Sequence, residues 1–392
     1  MNQVAEAAAL KRLILVLGAC GFASTFTMRL LDPLVPTLAS EFGKSIPQIA
    51  MIATGFSISY AIGQPFLGPV ADAVGKARTI LVSLIALSVM LILSAFVTQF
   101  EMLFLIRMAM GVFAGGIIPV AMAAIGDRAP MHERQVALGR FLTIMIIGQT
   151  AGAAFSGIIA DAFGWRTVML VSAVLAAIAA TLVAVILKPR PDAKRETLSL
   201  GNAMARYRIV FANPKTLVLY ALVVTEGALI FGIMPYVAGI LADRAGVGAT
   251  EAGLAVGGAG LGGLIYGFGV RALVARLGPV RMVTAGGFLM AAAIATFSLP
   301  FLPWWTAIGC FMVQGFGFFL MHGTFQAQAT ELAPEARGSA VALFACALFL
   351  GHALGPVMVG LLKTGFGPQP ALLAMAIGIA LLGLVAPRVL RL

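Results

Sequence analysis

The sequence predicts an all-α membrane protein of twelve transmembrane helices, arranged as two parallel-repeat six-helix bundles. Three observations lead there. The 392 residues are 61% hydrophobic and only 10% charged, where a soluble domain carries about 25% charged residues. Apolar windows long enough to cross about 30 Å of hydrocarbon as helix recur along the whole chain. They are continuous rather than alternating, which favours helices over a closed barrel. Finally, the chain matches itself at an offset of 203 residues.

The elements follow in order. Span 1 (13–39) comes after Lys11-Arg12 and is too long for a signal-peptide core, so it is expected to be retained. Span 2 (46–71) runs into the basic loop "GPVADAVGKAR", and span 3 (79–98) returns. Span 4 (102–126) carries Arg107, and span 5 (136–160) is punctuated by glycines. Span 6 (166–187) ends at "KPRPDAKRETLSLGNAMARYRIVFANP", a polar, basic, proline-bracketed linker over 188–214, with a surface helix expected over 198–211. Spans 7 to 12 are expected at 215–241, 249–275, 280–300, 304–329, 338–362 and 369–388. The domains are then 1–187, the linker 188–214, and 215–392.

The net charge of +11 is a topology signal rather than a nucleic-acid footprint. With the N-terminus inside, one side holds Lys11, Arg12, Lys76, Arg78, Arg128, Arg134, Arg140, the linker basics, Arg271, Arg276, Arg281, Arg337, Arg388 and Arg391. The other holds only Lys44, Arg166, Arg244 and Lys363. By the positive-inside rule both termini are cytoplasmic. Cys20, Cys310 and Cys346 fall inside spans, without disulfide or metal spacing, so no metal and no cofactor are expected.

The 203-residue offset pairs Gly43 with Gly246, Gly75 with Gly278, Arg78 with Arg281 and Arg134 with Arg337. It also pairs Gly148, Gly152, Gly157 and Gly164 with Gly351, Gly355, Gly360 and Gly367. Six spans per copy give both copies one orientation. Such parallel repeats build transporters with the substrate site between the halves, near the midplane. The string "GAGLGG" (258–263) fits a dinucleotide pattern but lies inside span 8 with no strand before it, and is rejected.

The loop between spans 2 and 3 resembles the signature of the major facilitator superfamily, G-x-x-x-D-(R/K)-x-G-(R/K)-(R/K). Gly68, Asp72, Gly75 and Lys76 match; Ala73 and Ala77 depart, with Arg78 standing in for the second basic residue. The resemblance implies a cytoplasmic gate in which Asp72 pairs with basic residues and the end of span 4, near Asp127. Gly68 would admit a neighbouring helix. "MRLLDPLVPTLASEFG" (28–43), with Asp32 and Pro36, is similar to the drug:proton antiporter branch. Arg107 and Gly111 form an R-x-x-x-G resembling that branch's span-4 motif, whose arginine is implicated in proton coupling. Arg107 is then expected to reach Asp32 and Arg29, and to hold the carboxylate ionised until a proton breaks the pair. "GQTAGAAFSG" (148–157) resembles the antiporter motif of span 5 at Gly148, Gly152 and Gly157, but Ala153 replaces its proline and Ser156 a glycine. With Gly351, Gly355 and Pro356 of the second copy, these glycines are expected to form the seam between the halves.

Glu226 lies about 18 Å into span 7 at 1.5 Å per residue, with no basic residue in the same stretch. An intramembrane carboxylate is a functional candidate by default, as proton carrier or cation anchor. Polar groups at similar depth are Tyr60, Gln64, Gln149, Tyr236, Gln314, His322 and His352, expected to line a substrate cavity. Gln149 and His352 are repeat partners, and histidine is the residue type that titrates near neutral pH.

A phosphate-binding G-x-x-x-x-G-K-(S/T) is absent, as are H-E-x-x-H and paired intramembrane aspartates, so no enzyme is expected. The reading is a secondary transporter, coupled to protons, exporting a small hydrophobic or cationic compound across a bacterial inner membrane. Its partners are that solute, protons and membrane lipids, with no nucleic acid, and it acts as a monomer. The alternative is a proton symporter or facilitator for uptake.

Overall fold

In the computed structural model, residues 2–188 and 200–391 are described; they are helical throughout, with no strand among them. The helices are α1 (Asn2–Arg29), α2 (Val35–Phe42), α3 (Ile46–Val74), α4 (Lys76–Ala95), α5 (Phe100–Gly115), α6 (Ile118–Arg128), α7 (Met131–Phe163) and α8 (Trp165–Leu182). After the linker come α9 (Leu200–Ala212), α10 (Lys215–Phe231), α11 (Met234–Ala245), α12 (Ala249–Phe297), α13 (Thr306–Glu331), α14 (Arg337–Phe366) and α15 (Pro368–Leu390). The expected linker helix over 198–211 is α9; positions 198 and 199 lie outside the described residues.

Eleven helical runs among the described residues are long and apolar enough to cross a membrane. The difference from twelve lies in α12. Its 49 residues would extend about 73 Å at 1.5 Å per residue, over twice the hydrocarbon core. The run contains the expected spans 8 and 9, separated at Gly278, whose backbone is non-helical (φ 67°, ψ 172°), just before Pro279. Three expected spans are themselves broken. Span 1 becomes α1, a 3₁₀ turn over Asp32–Leu34 and α2, with prolines at positions 33 and 36 restarting the helix. Span 4 breaks between α5 and α6 ahead of Pro119, and span 7 between α10 and α11 ahead of Pro235.

Six glycines have positive φ: Gly43 and Gly246 (60° and 62°), Gly75 and Gly278 (99° and 67°), Gly164 and Gly367 (83° and 87°). Each pair is 203 residues apart. Gly43, Gly164, Gly246 and Gly367 mark one end of the molecule, the far end; Gly75 and Gly278 mark the linker end, where α9 lies. At φ 67°, ψ 172° a side chain is excluded on steric grounds, at a cost of about 1–3 kcal/mol. Gly278→Ala is therefore expected to lower the thermal midpoint in detergent. Gly267→Ala, in a helix with nothing within 4 Å of the added methyl, is expected to leave it unchanged or raise it.

The buried apolar residues form two clusters. One comprises Leu10 to Val183 with Ala249 and Phe349; the other comprises Val210 to Leu390 with Ala50 and Ala153. Helix pairing recurs in the same order. Before the linker α1 packs on α7, α3 on α5 and α4 on α8; after it α10 packs on α14 and α12 on both α13 and α15. The two sets meet where α7 lies along α12 and α3 along α14. Phe268, Phe163, Phe96 and Leu361 are 71–92% exposed on the outer surface, as suits a hydrocarbon-facing belt.

Candidate functional site

The break that ends α1 creates the first charged pair. Arg29 is the last residue of α1 and Asp32 opens the 3₁₀ turn, so the two sit one turn apart. Arg29 Nη1 lies 3.2 Å from Asp32 Oδ2, and the residues are 7% and 4% exposed. The guanidinium carbon stands 4.6 Å above the ring centre of Phe231, a cation–π contact from across the molecule.

Arg107 departs from expectation. It is buried, but it does not bond Asp32. Its Nη1 donates to the carbonyl of Thr27 at 3.2 Å, and its guanidinium lies 4.4 Å over Phe56. The cause is local. The last carbonyls of a helix have no intrahelical donor, and ending α1 at Arg29 frees the Thr27 oxygen for Arg107. Arg29 takes the carboxylate instead.

Glu226 is not alone either. Its Oε2 lies 2.9 Å from Nδ1 of His322, which reaches across from α13. The Glu226 side chain is fully buried, that of His322 12% exposed. Glu226 Oε1 has no hydrogen-bond partner. The His322 ring stacks on Phe318 at 4.6 Å, and Phe318 meets Phe231 edge-on at 5.1 Å. Phe231 and Phe318 thus bridge the two charged pairs, Arg29–Asp32 before the linker and Glu226–His322 after it.

His352 joins this cluster, its ring 3.8 Å from Phe231 and 4.9 Å from Phe349, with Nε2 unpartnered. Tyr60 stacks on Phe349 at 3.8 Å, across the contact of α3 with α14. Gln149 lines a cavity beside Arg29. Gln314 is buried with both amide atoms unpartnered. Two of the expected cavity residues are tied to backbone carbonyls. Gln64 donates to the carbonyl of Gly115, freed where α5 ends (3.3 Å), and Tyr236 donates to that of Pro356 (2.7 Å). Removing the second bond in Tyr236→Phe should cost about 1 kcal/mol, read as a lower thermal midpoint.

At the linker end Lys76 bonds Asp127 and lies 3.9 Å from Asp72. Asp72 and Asp127 are half-exposed, and Arg78 is exposed. Gly75 takes φ 99° to turn α3 into α4. The expected close approach at Gly68 does not occur: nothing lies within 4 Å of an added Cβ there.

The seam needs correction too. A Cβ at Gly148 or Gly152 would strike Phe22 or Phe26 of α1, and one at Gly351 or Gly355 would strike α10 at Val224 or Ala228. Four of the five named glycines therefore serve packing on one side of the linker only, as does Pro356, which accepts from Tyr236. Gly157 alone meets the other part: a Cβ would lie 2.0 Å from the carbonyl oxygen of Ala249. Small residues of this kind let helix backbones approach closely in membranes.

Sequence reasoning missed Phe231, Asp161 and Thr150, which lines the cavity beside Arg29. Asp161 accepts from the backbone N–H of Thr250 (2.7 Å) and Ala249 (3.4 Å), capping the start of α12 from the end of α7. A carboxylate four residues beyond the last span-5 glycine was the available signal. No cluster of three or more His, Cys, Asp or Glu suited to a metal occurs among the described residues.

The model of the Major Facilitator Superfamily matches residues 17–356 and 230–392. The chain belongs to that superfamily; it is a transporter, not an enzyme. It is 26% identical over 342 residues to the uncharacterized transporter YceJ of Bacillus subtilis, covering 85% of this chain and 84% of that one. It is 28% identical over 156 residues to the probable multidrug resistance protein EmrY of Escherichia coli, covering 40% of this chain but only 30% of the relative. Among solved structures it shares the fold of the nucleoside transporter NupG (TM-score 0.78, 15% identity, 96% and 99% covered). A bacterial homolog of the human lysosomal transporter Spinster, inward-facing and unoccupied, superposes with TM-score 0.72 at 18% identity over 98% of both chains.

Proposed function

We propose that this chain is a proton-coupled exporter of a small, largely apolar compound, working by alternating access between two six-helix bundles, 1–187 and 215–392. On this reading twelve spans cross a bacterial inner membrane, with the linker and both termini in the cytoplasm, and one chain is the working unit. The two apolar clusters, the recurring helix pairs and the paired positive-φ glycines support the repeat. The basic bias of the linker end supports the orientation. Multidrug relatives support export.

The observation that carries the coupling is the Glu226–His322 pair. A buried carboxylate whose one partner is a histidine is a proton-exchanging unit. His322 retains some exposure and is the proton's way in; Glu226 is the acceptor. When the pair holds its extra proton, charge is confined to it; when the proton leaves, the buried anion must be compensated, and the bundles move. Arg29–Asp32 is linked to this event through Phe231 and Phe318.

The contacts of α7 with α12 run along Gly157, Gly253, Gly257 and Gly260, whereas Gly139 and Gly267, nearer the linker end, have nothing within 4 Å. This supports an opening towards the linker end. Asp72, Lys76 and Asp127 then belong to the open gate. Asp72→Asn is expected to slow substrate turnover several-fold without changing equilibrium binding; unchanged turnover would leave Asp72 as a loop anchor.

The test uses proteoliposomes with a trapped pH dye and a panel of lipophilic solutes under an imposed proton gradient. Solute-triggered proton movement against the solute's direction supports export by antiport. The eroded span-5 motif, Ala153 and Ser156, favours the second reading, uptake or facilitation. Proton movement in the same direction as the solute, or solute flux with no proton movement, would establish that one.

A further inference from the structure

We propose that the cavity beside Arg29 is the seat for the anionic headgroup, a carboxylate or its equivalent, of an amphipathic substrate. The inference rests on the transporter reading and replaces the cationic solute that the sequence suggests.

The argument starts from how Arg29 is used. Asp32 engages only Nη1; Nη2 has no hydrogen-bond partner, although the side chain is just 9% exposed. A guanidinium presents its donors as a fork matched to a carboxylate, so one prong remains available. Next, the ion pair is split between two spaces. Arg29 lines a cavity with Gln149, Phe231, Met234 and Val256. Asp32 lines a separate, apolar one with Val35, Leu38 and Ile49. No carboxylate lines the Arg29 cavity. A solute there meets the positive member of the pair and not the negative one.

The remaining groups fit the same ligand. Gln149 enters from α7, half-buried, and its side chain makes no hydrogen bond among the described residues. Its amide is a second donor. Phe231, Met234 and Val256 supply an apolar wall, with methionine able to adapt to varied shapes. A cation would fare worse: Glu226 is fully buried and held by His322, and Asp32 faces away.

The walls come from helices on both sides of the linker: α1 and α7 before it, α10 to α12 after it. In the present arrangement the cavity is small, about 20 Å³, enough for part of a headgroup. A Cβ at Gly260 would lie 1.6 Å from the Thr150 hydroxyl, so α7 and α12 are closed over the space where the apolar body would sit. Parting them admits it.

The experiment measures calorimetric binding to the full chain in nanodiscs with three probes of one shape: 2-naphthoate, 2-naphthylmethanol and 2-naphthylmethylammonium. Naphthoate is expected to bind at least tenfold tighter than the other two. In Arg29→Gln/Asp32→Asn, which removes both members of the ion pair and leaves Arg107 outside the cavity lining, naphthoate and the alcohol should bind within threefold of each other. Gln149→Glu leaves the ion pair intact and keeps the test valid if the double variant fails to fold; it should weaken naphthoate at least tenfold. Preference for the ammonium probe, an anion preference that survives the variants, or no binding of any probe would each overturn the proposal. Proteoliposome flux of any other solute would meanwhile leave the transporter reading standing, and only loss of all flux would remove it.

Discussion

Glu226→Gln is expected to abolish solute-triggered proton movement while leaving folded protein and measurable solute binding. The amide has the shape of the carboxylic acid and still accepts from His322 across the 2.9 Å contact, but it carries no exchangeable charge. The expected drop in dye response is at least tenfold, with the thermal midpoint within a few degrees of wild type. His322→Gln should give the same loss, since it removes the more exposed member of the pair. Wild-type proton movement in either variant would take the pair out of the mechanism and leave it as structural packing. The size of the expected effect follows from burial. A side chain with no exposure exchanges protons with water only through its partner, so no parallel route compensates.

The second large effect is expected at Gly157. A Cβ there would sit 2.0 Å from the oxygen and 2.6 Å from the carbonyl carbon of Ala249, and 3.0 Å from Cα of Thr250. These are backbone atoms and cannot rotate away. Gly157→Val must therefore part α7 from α12 at the far end, where Asp161 also caps α12. Each 1.4 kcal/mol of such strain moves an open–closed equilibrium tenfold. A cysteine at Ala53, in the cavity shared with Asp32, in a background without Cys20, Cys310 and Cys346, reports the change. Its labelling by an impermeant maleimide from the far side is expected to rise at least tenfold. Gly152→Val is the control. Its Cβ would strike Phe26 backbone at 2.3 Å, inside one side's packing, so it should lower stability without raising labelling. Unchanged labelling in Gly157→Val with full ligand binding would show that this contact does not close the far end.

The spans were legible because insertion in lipid leaves few options: long apolar runs must be helices, and their length is set by the bilayer. The loop around Asp72 and Lys76 was legible from its charge and spacing. Partnerships were not. Arg107 was assigned to Asp32 because both are charged and at similar depth. Which one meets the carboxylate depends on where α1 breaks, and the break at Arg29 turns that residue towards Asp32 and leaves Arg107 a carbonyl. Glu226 and His322 were each singled out, but 96 residues separate them, and nothing local reports that α10 and α13 face each other. The glycines at 148, 152, 351 and 355 carry a similar lesson. A small residue in a span announces a close neighbour without saying which, and here the neighbours are α1 and α10. Span 8 and span 9 follow one another without an intervening loop, turning at Gly278, whose φ of 67° lies outside the helical range.

The two apolar clusters exchange few members. Only Ala249 and Phe349 in one, and Ala50 and Ala153 in the other, come from the opposite side of the linker. On the alternating-access reading, a rocking motion leaves most of each interior intact and changes the surroundings of three methyl groups and one phenyl ring of the core, together with the Arg29–Phe231 and Tyr60–Phe349 contacts and the Asp161 cap on α12. Fully exposing a phenyl ring costs about 1.5–3 kcal/mol and a methyl about 0.8 kcal/mol, and the lost contacts are replaced as the opposite face closes. The two orientations of such a machine lie close in free energy. A tenfold difference in proton activity is worth about 1.4 kcal/mol for each proton carried, a bias of the same order as the terms it must tip. On that reading the molecule works as a balance, with most of its buried apolar core in the two arms and few core residues shared at the pivot.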